Sequence, residues 1–235
     1  MAAYWPWIYY QAPTGALARV RNQVLSDFRA GSVWDANQVE PRTVMASGSR
    51  LAVVPLTANF SSMAVRGGHG VFYQDANERL AVIVPERDAD DAPPASLPAF
   101  MRFPDIKMAK GGPIAAFSVA RAEDHGEGRA DVYVLYRDAS AKAGDISVLY
   151  TDSTTEPEWV VWKTAQPETL RGVADADSEL ACTTLSMTNS GPEGEAVPLE
   201  GLGADTVRCY FQKDGGVVEV KFDGEWSVVG NVPLS

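Results

Sequence analysis

Apolar and polar residues alternate with a period of two in short runs along the whole chain, and Gly, Pro, Asn and Asp cut the runs apart. Residues 7–11 (WIYYQ), 16–22 (ALARVRN), 70–74 (GVFYQ), 133–137 (YVLYR) and 207–222 (VRCYFQKDGGVVEVKF) are representative. Val, Ile, Tyr, Phe and Trp fit a pleated, half-buried surface, and the bounding residues supply turn conformations, so the runs read as β-strands. One stretch has a rival reading as helix, residues 14–31 (TGALARVRNQVLSDFRAG). Its first half aligns with a strand position elsewhere in the chain, which favours strand.

The runs repeat. WIYYQAPTG, GVFYQDANE, YVLYRDASA and RCYFQKDGG share a rhythm whose fifth residue is Gln11, Gln74, Arg137 and Gln212, separated by 63, 63 and 75 residues. A second marker precedes three of them: Ala52 and Ala115 each stand 22 residues ahead, and Ala181 stands 31 residues ahead. The extra length of the last unit lies in the Gly-, Pro- and Glu-rich stretch 189–206. Each marker is followed by a turn and another strand-like run. Trp34, Trp159 with Trp162, and Trp226 then mark a fourth run in three units, whereas FMRFPDI takes that place in the second.

A unit of four short strands recurring at roughly 60 residues is the pattern of a β-propeller, in which each sheet buries its faces against its neighbours. The sequence therefore predicts an all-β chain forming one propeller domain, with repeat units 1–47, 48–110, 111–177 and 178–235. A two-sheet sandwich is the rival, but it does not require matched spacings. The first unit lacks an innermost strand, which the C-terminal NVPLS or a neighbouring chain is expected to supply. The ring either closes on itself or is completed by homo-oligomerisation.

RCYFQKDGGVVEVKFDGEW places Arg208 and Glu219 11 residues apart across a Gly-Gly turn, with Phe222, Asp223, Gly224 and Trp226 following. This spacing resembles the fungal fucose-specific lectins, the six-bladed Aleuria-type propellers. The resemblance is good over the last 30 residues or so and is carried elsewhere by strand rhythm. It implies that Arg208 and Glu219 bind sugar hydroxyls while aromatics of an adjacent blade stack on the ring. The residues support that chemistry independently. Charged side chains make strong hydrogen bonds to vicinal hydroxyls, and an aromatic ring covers a sugar's C–H face. Strand alternation puts Tyr210 on the face of Arg208, and the unit next around the ring offers Trp7 and Trp34. The other reading of the pair is a surface ion pair, contributing at most about 1 kcal/mol. In the other units the Arg position reads Trp7, Gly70 and Tyr133, and the Glu position Ala18, Ala81 and Val148.

Composition narrows the partners. Net charge is −11, from 31 acidic and 20 basic side chains, and no basic stripe is present to release counterions, which argues against nucleic acid and against anionic membranes. No apolar run of about 18 residues occurs, and the N-terminus lacks a signal-peptide pattern, so a cytoplasmic location is expected. Two cysteines, Cys182 and Cys209, are too few for a disulfide scaffold and read as reduced core thiols on adjacent strands of one unit, with contact between them left open by the sequence. The Asn59-Phe60-Ser61 sequon reads as chance.

Other constellations are weaker. Tyr4, Trp5, Trp7, Tyr9 and Tyr10 crowd one stretch, as blade packing or as the lining of an apolar pocket. His69 and His125 stand in Gly-rich loops without partners at metal spacing, so neither a metal nor a cofactor is expected. Asp88, Asp90 and Asp91, and Asp175, Asp177 and Glu179, lack the Gly and distal Glu of a calcium loop and read as turns. Two functions remain. The first is a lectin-like protein binding a fucose-like glycan or another small molecule. The second is a secondary-metabolism enzyme, a cyclase or cycloaddition catalyst acting on a hydrophobic substrate in an aromatic pocket, for which no catalytic residue is singled out.

Overall fold

A computed structural model describes residues 7–22, 34–55, 69–83, 103–120, 130–152, 161–184, 189–190, 196–197 and 207–233. Among them the protein is all-β, with sixteen strands and a single 3-10 turn at Glu168–Leu170. The first sheet holds β1 (Trp7–Gln11), β2 (Ala16–Asn22) and β3 (Trp34–Val44). The second holds β4 (Leu51–Pro55), β5 (His69–Gln74) and β6 (Leu80–Ile83). The third holds β7 (Ile114–Ala120), β8 (Ala130–Tyr136), β9 (Ser147–Asp152) and β10 (Val161–Ala165). The fourth sheet begins with β11 (Leu180–Thr184). A two-stranded ribbon follows, β12 (Asn189–Ser190) with β13 (Ala196–Val197). The fourth sheet resumes with β14 (Val207–Lys213), β15 (Gly216–Phe222) and β16 (Trp226–Val232). Every sheet is a sequential antiparallel meander except that β11 passes over the ribbon to pair with β14. The stretch with a rival helical reading is β2 as far as residue 22; residues 23–31 lie outside the described ones.

Alternation dictates how the sheets stack. Leu17, Met45, Val71, Tyr73 and Ile83 form a core between the first and second sheets. Val54, Phe72, Leu80, Met108, Val134, Leu149 and Trp162 fill the space between the second and third. Phe117, Leu135, Val148, Cys209, Phe211, Val220 and Phe222 do so between the third and fourth. Each middle sheet buries both faces, and β4 and β11 both pack against β7. The period-two pattern thus builds a row of face-to-face sheets rather than a pair.

The repeated markers have a mechanical role. Gln11 donates from Nε2 to the Ala46 carbonyl at 2.8 Å, tying the first sheet to the segment that enters the second. Gln74, fully buried, donates to the Ala109 carbonyl at 3.0 Å and accepts from the Gly111 N–H at 2.9 Å at the entry to the third. Gln212 accepts from the Glu179 N–H at 3.1 Å at the start of its own sheet. A buried amide side chain has to satisfy donor and acceptor together, and the crossing segment offers both.

Two expectations are corrected. Cys182 and Cys209 form a disulfide instead of standing as reduced thiols. They are register partners on β11 and β14 with Cα atoms 4.1 Å apart, a proximity that a count of cysteines does not reveal. Nor do Asn231 and Val232 complete the first sheet: they belong to β16, paired with Val218 and Val217 of β15, and residues 234–235 lie outside the described ones.

Candidate functional site

Arg208 and Glu219 lie on the β14–β15 hairpin. Asp214 and Gly215 take φ of 51° and 76°, the doubly left-handed form that a two-residue hairpin turn needs, and Asp-Gly adopts it readily. This turn sets a register in which Tyr210 faces Glu219 and Arg208 faces Lys221. Val207, Cys209, Phe211, Val220 and Phe222 point into the core toward the third sheet, so alternation sends Arg208, Tyr210, Glu219 and Lys221 to the opposite face.

On that face the Arg208 guanidinium donates from Nη1 to Glu219 Oε1 at 2.7 Å, a diagonal cross-strand contact. The two side chains are 27% and 23% exposed, sheltered enough to hold one geometry and open enough to meet a solute. Lys221 reaches along its strand to Asp223 at 2.6 Å, and that hydrogen bond holds the exposed Asp223 carboxyl below its usual range. On the flanking strands Thr183 of β11 stands opposite Arg208, and Gly230 of β16 stands opposite Glu219 beside a β-bulge. Among the described residues a Cβ added at Gly230, beside Glu219, would meet nothing within 4 Å. The arrangement presents a fixed cation, a fixed anion and a tyrosine on one partly exposed sheet face.

Trp226 is not part of it. It pairs with Phe222, on the core side, with ring centroids 4.9 Å apart. The period of two places it there, one face away from Arg208. Trp7 and Trp34 stand in β1 and β3 opposite Arg21 and Asn22, and their side chains lie outside the described residues.

The other units read differently at the matching positions. In the third sheet Tyr133 and Val148 replace Arg208 and Glu219, and Tyr133 stacks on Phe117 at 5.2 Å and on Tyr150 at 5.8 Å while meeting Phe222 of the fourth sheet at 4.8 Å. Between the second and third sheets Trp162 makes edge contacts with Phe72 at 6.2 Å and Phe103 at 5.3 Å. The Glu position itself is displaced from the sequence expectation in two units. Phe72, the counterpart of Tyr210, pairs with Val82 rather than Ala81, and Tyr9 pairs with Arg19 rather than Ala18. The turns after Gln74 and Gln11 are one residue longer than the turn after Gln212, and a one-residue slip exchanges the faces of a strand. Tyr9 hydrogen-bonds Arg19 toward the second sheet, and burial raises its phenol pKa despite the guanidinium.

The remaining candidates resolve into structure or lie outside the described residues. Asp175 accepts from the Asp214 N–H at 3.0 Å and Glu179 pairs with Arg50, so this acidic stretch serves turns and ion pairing. Among the described residues no group of three metal-binding side chains occurs. Tyr4, Trp5, Asn59, Asp88, Asp90, Asp91, His125 and the His69 side chain lie outside the described residues.

Sequence reasoning missed two cavities. One of about 500 Å³ opens between the 3-10 turn segment and the fourth sheet, beside Thr169, Arg171, Lys213, Val218 and Val228. The other, about 310 Å³, is lined by Tyr136, Asp138, Ser140, Ser147, Thr164 and Gln166. Burial, reinforced by Asp138, pushes the Tyr136 phenol up to about 12 against a counteracting hydrogen bond with Ser147. Their linings come from turns and strands far apart in sequence, so no local motif announces them. Neither includes Arg208 or Glu219.

No family model matches the chain. No curated protein sequence matches it either. Solved structures do. The chain superposes on a variant of the Aleuria aurantia lectin in complex with Fucα1-6GlcNAc at a TM-score of 0.55 and 17% identity, covering 82% of this chain and 51% of the lectin. It superposes on AofleA from Arthrobotrys oligospora at a TM-score of 0.58 and 12% identity, over 97% of this chain and 53% of that one. A variant of AofleA with three arginines changed to alanine gives 0.60 and 14%, over 97% and 55%. The chain spans about half the length of these structures. At such identities the likeness shows the fold, an all-β architecture shared with lectin propellers.

Proposed function

We propose that the protein is a lectin-like, carbohydrate-binding β-propeller whose four larger sheets are four blades, and that the fourth blade holds a fucose-like sugar at Arg208 and Glu219. The observation that carries this reading is the 2.7 Å Arg208–Glu219 contact on the partly exposed face of a hairpin, within a fold shared with lectins. An approaching sugar presents two adjacent hydroxyls to the pair. One hydroxyl oxygen accepts from the guanidinium while another hydroxyl donates to the carboxylate, so both charges stay compensated throughout binding. Tyr210, beside Glu219, offers its ring to a C–H face. No large ordering cost arises, because the pair is already joined before the ligand arrives.

The enzymatic reading finds less support: among the described residues neither cavity is walled by clustered aromatics. A fucose-agarose column tests the lectin reading directly. The unaltered protein should be retained and eluted by free fucose, while Arg208→Ala and Glu219→Gln should pass through. Passage of the unaltered protein, or equal retention of the variants, removes the assignment.

A further inference from the structure

We infer that the Cys182–Cys209 disulfide is a redox-sensitive clamp that positions Arg208, so that ligand binding depends on an oxidising environment. The inference rests on the sugar site proposed above.

The innermost strands are anchored in different ways. β4 buries Ala52 and Val54, and β7 buries Ile114, Ala115 and Phe117. β11 buries none of its five residues: Leu180, Cys182 and Thr184 are half-buried, and Ala181 and Thr183 are exposed. It is also an edge strand, paired on one side only, with β14. Leu180 and Cys182 pack against the core only partly buried, so this short edge strand is held less firmly than β4 and β7. The disulfide supplies what burial does not, joining the middle residue of β11 to the fully buried Cys209.

Cys209 is the residue next to Arg208, and Thr183, next to Cys182, is the register partner of Arg208. The clamp therefore sits at the backbone that aims the guanidinium toward Glu219. Cys182 is only partly buried where it packs against the core, while Cys209 is fully buried, so Cys182 is the partner nearer to solvent. A dithiol reductant attacks Cys182 Sγ as its thiolate, breaking the S–S bond and releasing Cys209 as a thiolate that takes up a proton. The second thiol of the reductant then resolves the mixed disulfide, leaving two protein thiols and an oxidised, cyclic reductant. Once the bond is open, β11 retains its ladder hydrogen bonds and half-buried contacts only. The space beside Gly230 then extends across to the β14 side of the site. Disulfides persist in oxidising compartments, so this clamp sets the surroundings in which the site is formed.

The test uses the full chain, oxidised and after treatment with dithiothreitol, with opening of the bond verified by mass. Two readouts are taken: affinity for methyl α-fucoside by calorimetry, and amide hydrogen exchange over the third and fourth sheets. The expected result is a roughly tenfold or larger loss of affinity on reduction. It should be accompanied by faster exchange in β11 and the first half of β14, and by unchanged exchange in β8 and β9, since β11 packs on that sheet at β7. The double variant Cys182→Ala, Cys209→Ala should match the reduced protein without any reductant. Equal affinity in both states, loss of protection throughout the third sheet, or a bond that resists the reductant would each overturn the clamp. Failure of the oxidised protein to bind fucoside would instead strike the sugar assignment and with it the ligand half of this inference. The exchange result still reports separately on whether the bond anchors β11.

Discussion

The third and fourth sheets carry the same strands in the same register, yet their corresponding outer-facing positions have opposite chemistry. Tyr133 and Tyr150 face each other on the third sheet where Arg208 and Lys221 do on the fourth. Leu135 and Val148 stand in the third where Tyr210 and Glu219 stand in the fourth. In the third sheet this face is closed by the next sheet, and Tyr133 lies within 4.8 Å of Phe222. In the fourth no described sheet packs on it, and a partly exposed, joined charge pair occupies it. The contrast teaches that a repeat position is free to be core or site depending on whether a neighbouring sheet fills the crevice. Aromatic side chains bury large areas and take over a crevice that holds no ligand. Charged ones remain where solvent and solute still reach.

Changes that exchange the two chemistries should have unequal effects. The largest is expected from Val148→Glu, which writes the fourth sheet's carboxylate into the third, at a position 2% exposed and without an arginine to meet it. An unpaired buried charge costs about 3–5 kcal/mol, and urea unfolding should show it as a large fall in midpoint. Phe117→Ala removes the ring on which Tyr133 stacks and should cost about 3–4 kcal/mol by the same measurement. Arg208→Ala should change stability by no more than about 1 kcal/mol, because the pair is partly solvated, while abolishing sugar retention. The separation of stability from binding at Arg208, and its absence at Phe117, is what distinguishes a site from a core.

The smallest effect belongs to pH. The Tyr136 phenol rises from 10.0 to about 12 in the folded protein. Its neutral form is favoured by folding, so the associated stability is whole below pH 10, where the unfolded chain is also protonated. It is lost as pH climbs through the folded value near 12. A spectrophotometric titration should show Tyr136 ionising late, with Tyr9 also above the usual range, and unfolding midpoints should decline between pH 10 and 12, a decline that Tyr136→Phe reduces.

Much of the architecture was legible because it rests on local rules. Period-two alternation marked the strands, the matched spacing of Gln11 and Gln74 marked repeated sheets, and Lys213-Asp214-Gly215-Gly216 announced the hairpin that brings Arg208 to Glu219. The features that escaped depend on register between distant segments. Cys182 and Cys209 meet only because β11 crosses the β12–β13 ribbon to pair with β14 in one particular register. The Glu-equivalent positions slipped by one because turns of unequal length exchange faces, which turned Val82 into Ala81 and Arg19 into Ala18. Trp226 follows Arg208 closely in sequence, yet its register partner Phe222 faces the core, one face away from Arg208. The cavity at Thr169, Lys213 and Val228 joins three separate stretches and had no sequence signal.

The most direct test of the central claim, that the partly exposed face of the fourth sheet is the surviving sugar site, is a titration of isotope-labelled protein with methyl α-fucoside followed by amide chemical shifts. The account expects saturable shifts concentrated at Arg208, Tyr210, Glu219 and Gly230, with the amides of Tyr133, Val148 and Tyr150 unmoved. Shifts centred on the aromatic crevice between the third and fourth sheets, or no shifts at all at millimolar sugar, would contradict it.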